Sequence, residues 1–145
     1  MFSKACEYGI KASLFIAMNT GRGRRVNLEE IARGIESPLS FTSKILQKLV
    51  KSRIIDSVKG PAGGFEIKSR KADAIKISEI VNAIDGKGIF EGCGLGFAQC
   101  NEKRPCPLHR KFKSVRNDLK AMLESATLKQ LSEEINTGNS FLTTK

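Results

Sequence analysis

The chain is 145 residues long, the size of one ordinary domain or of a small domain with an appended arm, so two large domains are excluded. With 40% hydrophobic and 28% charged residues, it has enough apolar surface for a packed core and too little bias for a disordered polymer. Its 25 Lys and Arg against 15 Asp and Glu leave +10 at neutral pH, which favours a polyanionic partner; no apolar run nears the roughly eighteen residues of a membrane span, so a cytoplasmic chain without membrane contact is expected.

From Lys4 to Asn19, Ala5, Tyr8, Ala12 and Phe15 mark one helical stripe and Ile10, Leu14 and Ala17 a second, which predicts a helix buried on two sides. Cys6, alone on that helix, reads as a core residue. The glycines and arginines at 21–25 break it, and Asn27 followed by Glu30 is a capping-box-like start for a short helix through Leu28, Ile31 and Ile35, which Gly34 helps to end. Ser37 as N-cap with Pro38 at the first helical position opens the next helix, whose Phe41, Ile45, Leu49 and Val50 face inward. Its other face carries Ser40, Thr42, Ser43, Lys44, Gln47, Lys48 and Lys51. Two short helices joined tightly, the second split between apolar and hydrogen-bonding faces, are the parts of a helix-turn-helix that reads double-stranded DNA through the major groove.

Ile54, Ile55 and Val58 then predict a short strand, Lys59, Gly60, Pro61, Ala62, Gly63 and Gly64 a turn, and residues 65–68 a returning strand. This hairpin is a wing, whose glycines let the backbone approach a phosphate and whose Lys59 adds charge. Charge follows the same division: residues 1–76 hold fifteen basic and seven acidic side chains, residues 77–145 ten and eight. Ser40, Thr42, Ser43, Lys44 and Gln47 are the expected readers of base edges, with Lys48, Lys59, Arg24 and Arg25 on phosphates. A helix through Ile77, Ile80, Val81 and Ile84, ending at Gly86, closes this unit.

Residues 87–105 lack periodicity and form a loop too long to be only a connection. Pro107 opens a last long helix with Leu108, Phe112, Val115, Leu119 and Met122 spaced 4, 3, 4, 3, an a/d seam expected to pair with its own copy in a homodimer. A Thr127-capped helix through Leu128, Leu131 and Ile135 is expected to pack behind it. The fold expected is mostly α with a small β-wing: a winged helix-turn-helix domain over 1–86, a ligand-binding loop over 87–105, a dimerisation helix and C-terminal helix over 106–136, and a tail over 137–145.

Cys93, Cys100, Cys106 and His109 give the spacing Cys-x6-Cys-x5-Cys-x2-His. Thiolates with an imidazole suit zinc, copper(I) or iron-sulfur, and Lys103 and Arg104 favour anionic ligands there. A structural Cys3His zinc site, serving a nucleic-acid or protein adaptor without a sensing role, stays open as the alternative. An enzyme is not expected: there is one histidine, with no nucleotide-binding loop and no carboxylates paired for acid-base work.

Residues 6–12 (Cys-Glu-Tyr-Gly-Ile-Lys-Ala), Leu39 to Leu46, the wing from Lys59 to Phe65 and the three cysteines followed by Pro107, Leu108 and His109 together resemble the bacterial Rrf-two family of regulators over nearly the whole chain. The resemblance implies a dimeric winged helix-turn-helix transcription factor, usually a repressor, with Cys93, Cys100 and Cys106 holding an iron-sulfur cluster beside the dimer helix. It implies His109 as fourth ligand, as in members that hold a 2Fe-2S cluster, or, as in other members, an acidic residue such as Glu7 from the first helix of the partner subunit; a 2Fe-2S cluster is favoured, with 4Fe-4S the other type. Nitric oxide, oxygen species or iron shortage are the implied stimuli.

Overall fold

In the computed structural model, which describes residues 1–144, the first helix starts at Ser3, whose hydroxyl accepts the Cys6 N–H at 3.0 Å and donates to Asp85 at 2.6 Å. That helix, α1 (Lys4–Gly21), is buried on two sides, with Cys6, Ala12 and Ile16 fully inaccessible. Its polar groups stay inside because they are satisfied locally: Ser13 donates to the Gly9 carbonyl, and Thr20 donates to Ile16 while accepting the N–H of Ile67. Burial, helped by the charges of Asp85 and Glu7, pushes the Cys6 thiol up from 9.0 to about 12. A raised acid keeps its full contribution to stability below pH 9 and loses it as the pH climbs toward 12. In native protein at about pH 8 an aromatic disulfide reagent is therefore expected to modify the three loop cysteines and spare Cys6 until denaturant is added. Rapid labelling of Cys6 would contradict this packing.

Asn27 caps α2 (Leu28–Gly34) by accepting the Glu30 N–H at 2.9 Å. The expected box closes only on that side, because the Glu30 carboxylate is held by Arg24 at 2.6 Å. Gly34 ends α2 and also lets it lie against α1: a Cβ there would fall 2.2 Å from the Phe15 ring. The third helix, α3 (Leu39–Lys51), buries Ile45, Leu46 and Leu49. The Ser37 cap is not formed; α3 begins one residue later than expected without a side-chain cap, because the Ser37 hydroxyl is engaged by that of Thr42.

Ile54 and Ile55 are buried ahead of the wing, which pairs β1 (Asp56–Val58) antiparallel with β2 (Gly64–Glu66) in the register Asp56–Glu66, Ser57–Phe65, Val58–Gly64. Val26 bridges Phe65 from the other side, with N···O distances of 3.2 and 2.7 Å, so the wing's base is three backbones wide. There follow α4 (Ser69–Ala74), α5 (Ile77–Asp85), α6 (Gly88–Glu91), α7 (His109–Ser125) and α8 (Leu128–Asn136). Periodicity does not announce the two short helices α4 and α6. Pro107 and Leu108 lie in a turn ahead of α7 and not in it.

α8 does not pack behind α7 as expected; it lies on α1. Leu128 is fully buried and the Asn136 amide donates to the Met18 carbonyl at 3.2 Å. A bridge between Lys76 and Thr127 fixes this placement, with Ile77 N–H donating to Ala126 and Leu128 N–H to Ile75, both at 3.0 Å. The cause is legible in α1: an apolar second side needs a cover, and α8 provides it. The α7 seam divides accordingly. Phe112 and Leu119 are half-buried and Leu123 joins the core, whereas Leu108, Val115 and Met122, seven residues apart, remain 37%, 63% and 55% exposed. No helix among the described residues is long and apolar enough to cross a membrane.

Candidate nucleic-acid interface and metal centre

α3 sorts its expected readers by position. Ser40, Lys44, Gln47, Lys48 and Lys51 are exposed along one row and Ser43 is half-buried beside them. Thr42 is corrected: it is fully buried, its hydroxyl donating to the Pro38 carbonyl at 2.7 Å and meeting Ser37, so it faces the core and no base edge. The start of α3 is seated on α1 by an edge-to-face contact between Tyr8 and Phe41, ring centres 5.6 Å apart.

At the wing, Lys59, Gly60, Pro61 and Ala62 are exposed at the tip. Gly63 and Gly64 are required behind it, since a Cβ on Gly63 would lie 2.1 Å from the Val58 carbonyl oxygen and Gly64 has φ +137°. Arg24 and Arg25, expected on phosphates, hold partners within the chain. Arg24 pairs with Glu30 at 2.6 Å; Arg25 pairs with Glu66 at 2.9 Å and donates to the Ala62 carbonyl at 3.3 Å, bracing the wing against the α1–α2 link. Asp56, the one acid inside the basic stretch 44–59, is neutralised by Lys71 at 3.2 Å. The outer face of α3 and the wing tip therefore present one basic surface.

All four cysteines are free thiols. Cys93, Cys100, Cys106 and His109 line one cavity of about 420 Å³ at the root of α7, together with Phe97, Arg104 and Pro107. His109 is buried with Nδ1 3.1 Å from Cys100 Sγ, and Cys93 and Cys106 line the same cavity. The Cys93 thiol sits below its ordinary range because the amide N–H of Leu95 and then that of Phe97 donate to it, with Cys106 and the Gly96 N–H adding to the effect. Among the described residues no three His, Cys, Asp or Glu side chains close on a single metal-binding point. The donor set nevertheless fits an anionic metal-sulfur group: three thiols and an imidazole face one cavity, with amide N–H groups already aimed at a sulfur.

The loop is fastened to α7 at several points. Glycine is needed at 94, where a Cβ would fall 2.3 Å from the Phe112 ring, and Glu102 is paired with Lys113. Arg116 binds the Gly92 carbonyl and reaches Cys100 Sγ at 3.5 Å. Sequence reading misses Arg116; the available signal is its position two turns beyond His109 on the same helical face. Glu7 pairs with Lys4 at 3.2 Å and does not line this cavity.

A helix pair with a basic outer helix, a glycine-shaped wing and a thiol-lined loop on a long helix together define a winged helix-turn-helix regulator. The sequence profile of the Rrf2 family, described as iron-dependent transcriptional regulator, matches residues 2–134, and the chain belongs to that family. Its members are transcriptional regulators, not enzymes. An HTH-type transcriptional regulator of Aquifex aeolicus is 32% identical over 133 residues, covering 90% of each chain. The HTH-type transcriptional regulator IscR of Escherichia coli is 29% identical over 125 residues, 86% of this chain and 75% of that one. Among solved structures, T. potens IscR superposes with TM-score 0.76 at 19% identity, over 97% of this chain and 91% of that one. CymR of B. subtilis, described as a global cysteine regulator, does so with TM-score 0.73 at 19% identity, over 92% and 96%. At these identities the two structures speak for the fold alone.

Proposed function

We propose that the protein is a homodimeric, cytoplasmic repressor that binds a pseudo-palindromic DNA operator, its affinity set by an iron-sulfur cluster on Cys93, Cys100, Cys106 and His109. The observation that carries this reading is the convergence of those four donors on one cavity at the root of α7, the helix whose Leu108, Val115 and Met122 are exposed. His109 is favoured as fourth ligand because it is already 3.1 Å from Cys100 Sγ; the partner subunit's Glu7 is the competing ligand, and the cluster is 2Fe-2S in the favoured form and 4Fe-4S in the other. The bound cluster would supply a group that nitric oxide, oxygen species or iron shortage alters.

The chain's own residues do the reading. Ser40, Ser43, Lys44 and Gln47 face base edges, Lys48 and Lys59 meet phosphates, and Gly60, Pro61, Gly63 and Gly64 bring the wing backbone to the flanking strand. Two copies joined through α7 place the two α3 helices in successive major grooves. The cysteine loop bears on α7, so a change in the loop alters the pose of the two heads. A tenfold change in occupancy asks for about 1.4 kcal/mol between poses.

Anaerobic purification with iron, sulfide and zinc counts and an absorption spectrum tests the cluster. A brown, iron- and sulfide-bearing dimer supports it, whereas a colourless protein with stoichiometric zinc returns the adaptor reading. For the DNA surface, Lys48→Ala is expected to weaken binding to every sequence and to flatten the log-affinity against log-salt slope by about 0.9 for each phosphate no longer neutralised. An unchanged slope in a fluorescence titration series would remove Lys48 from the phosphate set.

A further inference from the structure

Arg116 is a cation engaged with the cysteine loop at two points, Gly92 and Cys100, that the donor spacing does not explain. It stands seven residues after His109 on α7, so the two share a face. One terminal nitrogen donates to the Gly92 carbonyl and the other points at Cys100 Sγ, 3.5 Å away. Its Nε is buried without a hydrogen-bond partner among the described residues, and none of the described ion pairs includes it. A guanidinium N–H withdrawn from water without an acceptor is costly. The negative charge it lacks is of the kind that three thiolates and a bound metal-sulfur group bring.

We propose that Arg116 is a positioning residue that clasps the loop at Gly92 and Cys100 and hydrogen-bonds the Cys100 sulfur, thereby slowing metal loss and raising the reduction potential of the bound cluster. This rests on the cluster reading above. Gly92 precedes Cys93 directly, so one planar fork restrains the segments carrying two of the donors, a geometry that a lysine's single ammonium reproduces only in part. Hydrogen bonds to ligand sulfurs and a fixed positive charge stabilise the more negative, reduced state over the oxidised one.

The test compares wild type, Arg116→Gln and Arg116→Lys, each reconstituted anaerobically with iron and sulfide. Thermal melts of the apo proteins serve as the folding control. The Gln variant is expected to release iron to a chelator about tenfold faster and to show a midpoint lowered by about 59 mV, which is tenfold for a one-electron couple. Arg116→Lys should fall between the two. Wild-type release and midpoint in the Gln variant overturn the proposal while leaving the cluster reading intact. If the wild type takes up zinc and no cluster, the cluster reading fails. Faster zinc release from Arg116→Gln would then still uphold the clasp, and equal release would overturn it.

Discussion

With Val115→Asp and Met122→Asp combined, the protein is expected to sediment as a monomer and to lose about a hundredfold or more in affinity for a two-half-site duplex. The two side chains are 63% and 55% exposed on the α7 face that does not touch its own body, so the change should cost the folded monomer no more than about 0.5 kcal/mol. In a symmetric pairing each apolar side chain buried is worth about 1.5–3 kcal/mol, and both copies contribute. Aspartates at those positions forfeit that gain and set like charges opposite one another. Linking two reading heads multiplies affinity by about 10²–10⁴ through effective concentration alone, and a monomer forgoes that factor. Sedimentation equilibrium and operator titration on one preparation check both halves. A dimer that survives the double change would move the interface off the Leu108–Val115–Met122 row.

Cys106→Ala is expected to abolish bound iron and the visible absorption band while leaving the apo melt unchanged. Cys106 is only half-buried, so the substitution removes little packing. It is the hinge between loop and helix: its carbonyl accepts the His109 N–H at 3.0 Å and its free thiol lines the same cavity as Cys93. Without it, the cavity keeps three donors, too few for a four-ligand site. In wild type, treatment with nitric oxide should change operator affinity by at least about tenfold, or 1.4 kcal/mol. The variant should show the same affinity before and after treatment. A variant that still responds would place the sensor elsewhere.

Helix periodicity and turn chemistry make most of the fold legible. The double stripe of α1, the inward face of α3, the 77–85 helix and the Thr127 cap with its reciprocal Gln130 bond all follow from local rules. What escapes those rules is decided by tertiary partners. Thr42 carries a hydroxyl and so resembles a surface residue, but two local hydrogen bonds satisfy it and the side chain is buried. α8 has an apolar face that fits several covers, and only the backbone bridge at Lys76 and Thr127 selects α1. In the loop, spacing singles out the four residues that line one cavity, because thiols are rare. One arginine on a helix already rich in basic residues has no comparable signature, so Arg116 emerges only from its distances.

The seating of α8 on α1 has a bearing on how this molecule can be divided. Cut after Gly86, the amino-terminal piece would present Ala17, Ile75 and Ile77 to water where Leu128 and its neighbours now lie. α8 is thus the floor on which α1 rests, and the DNA-gripping portion is not a cassette that recombination or truncation can lift out whole. A tilt imposed at the root of α7 would reach that floor through Ala126 and Leu128, so under the proposed function the same short tie that completes the body would also give a loop-bound group a lever on it.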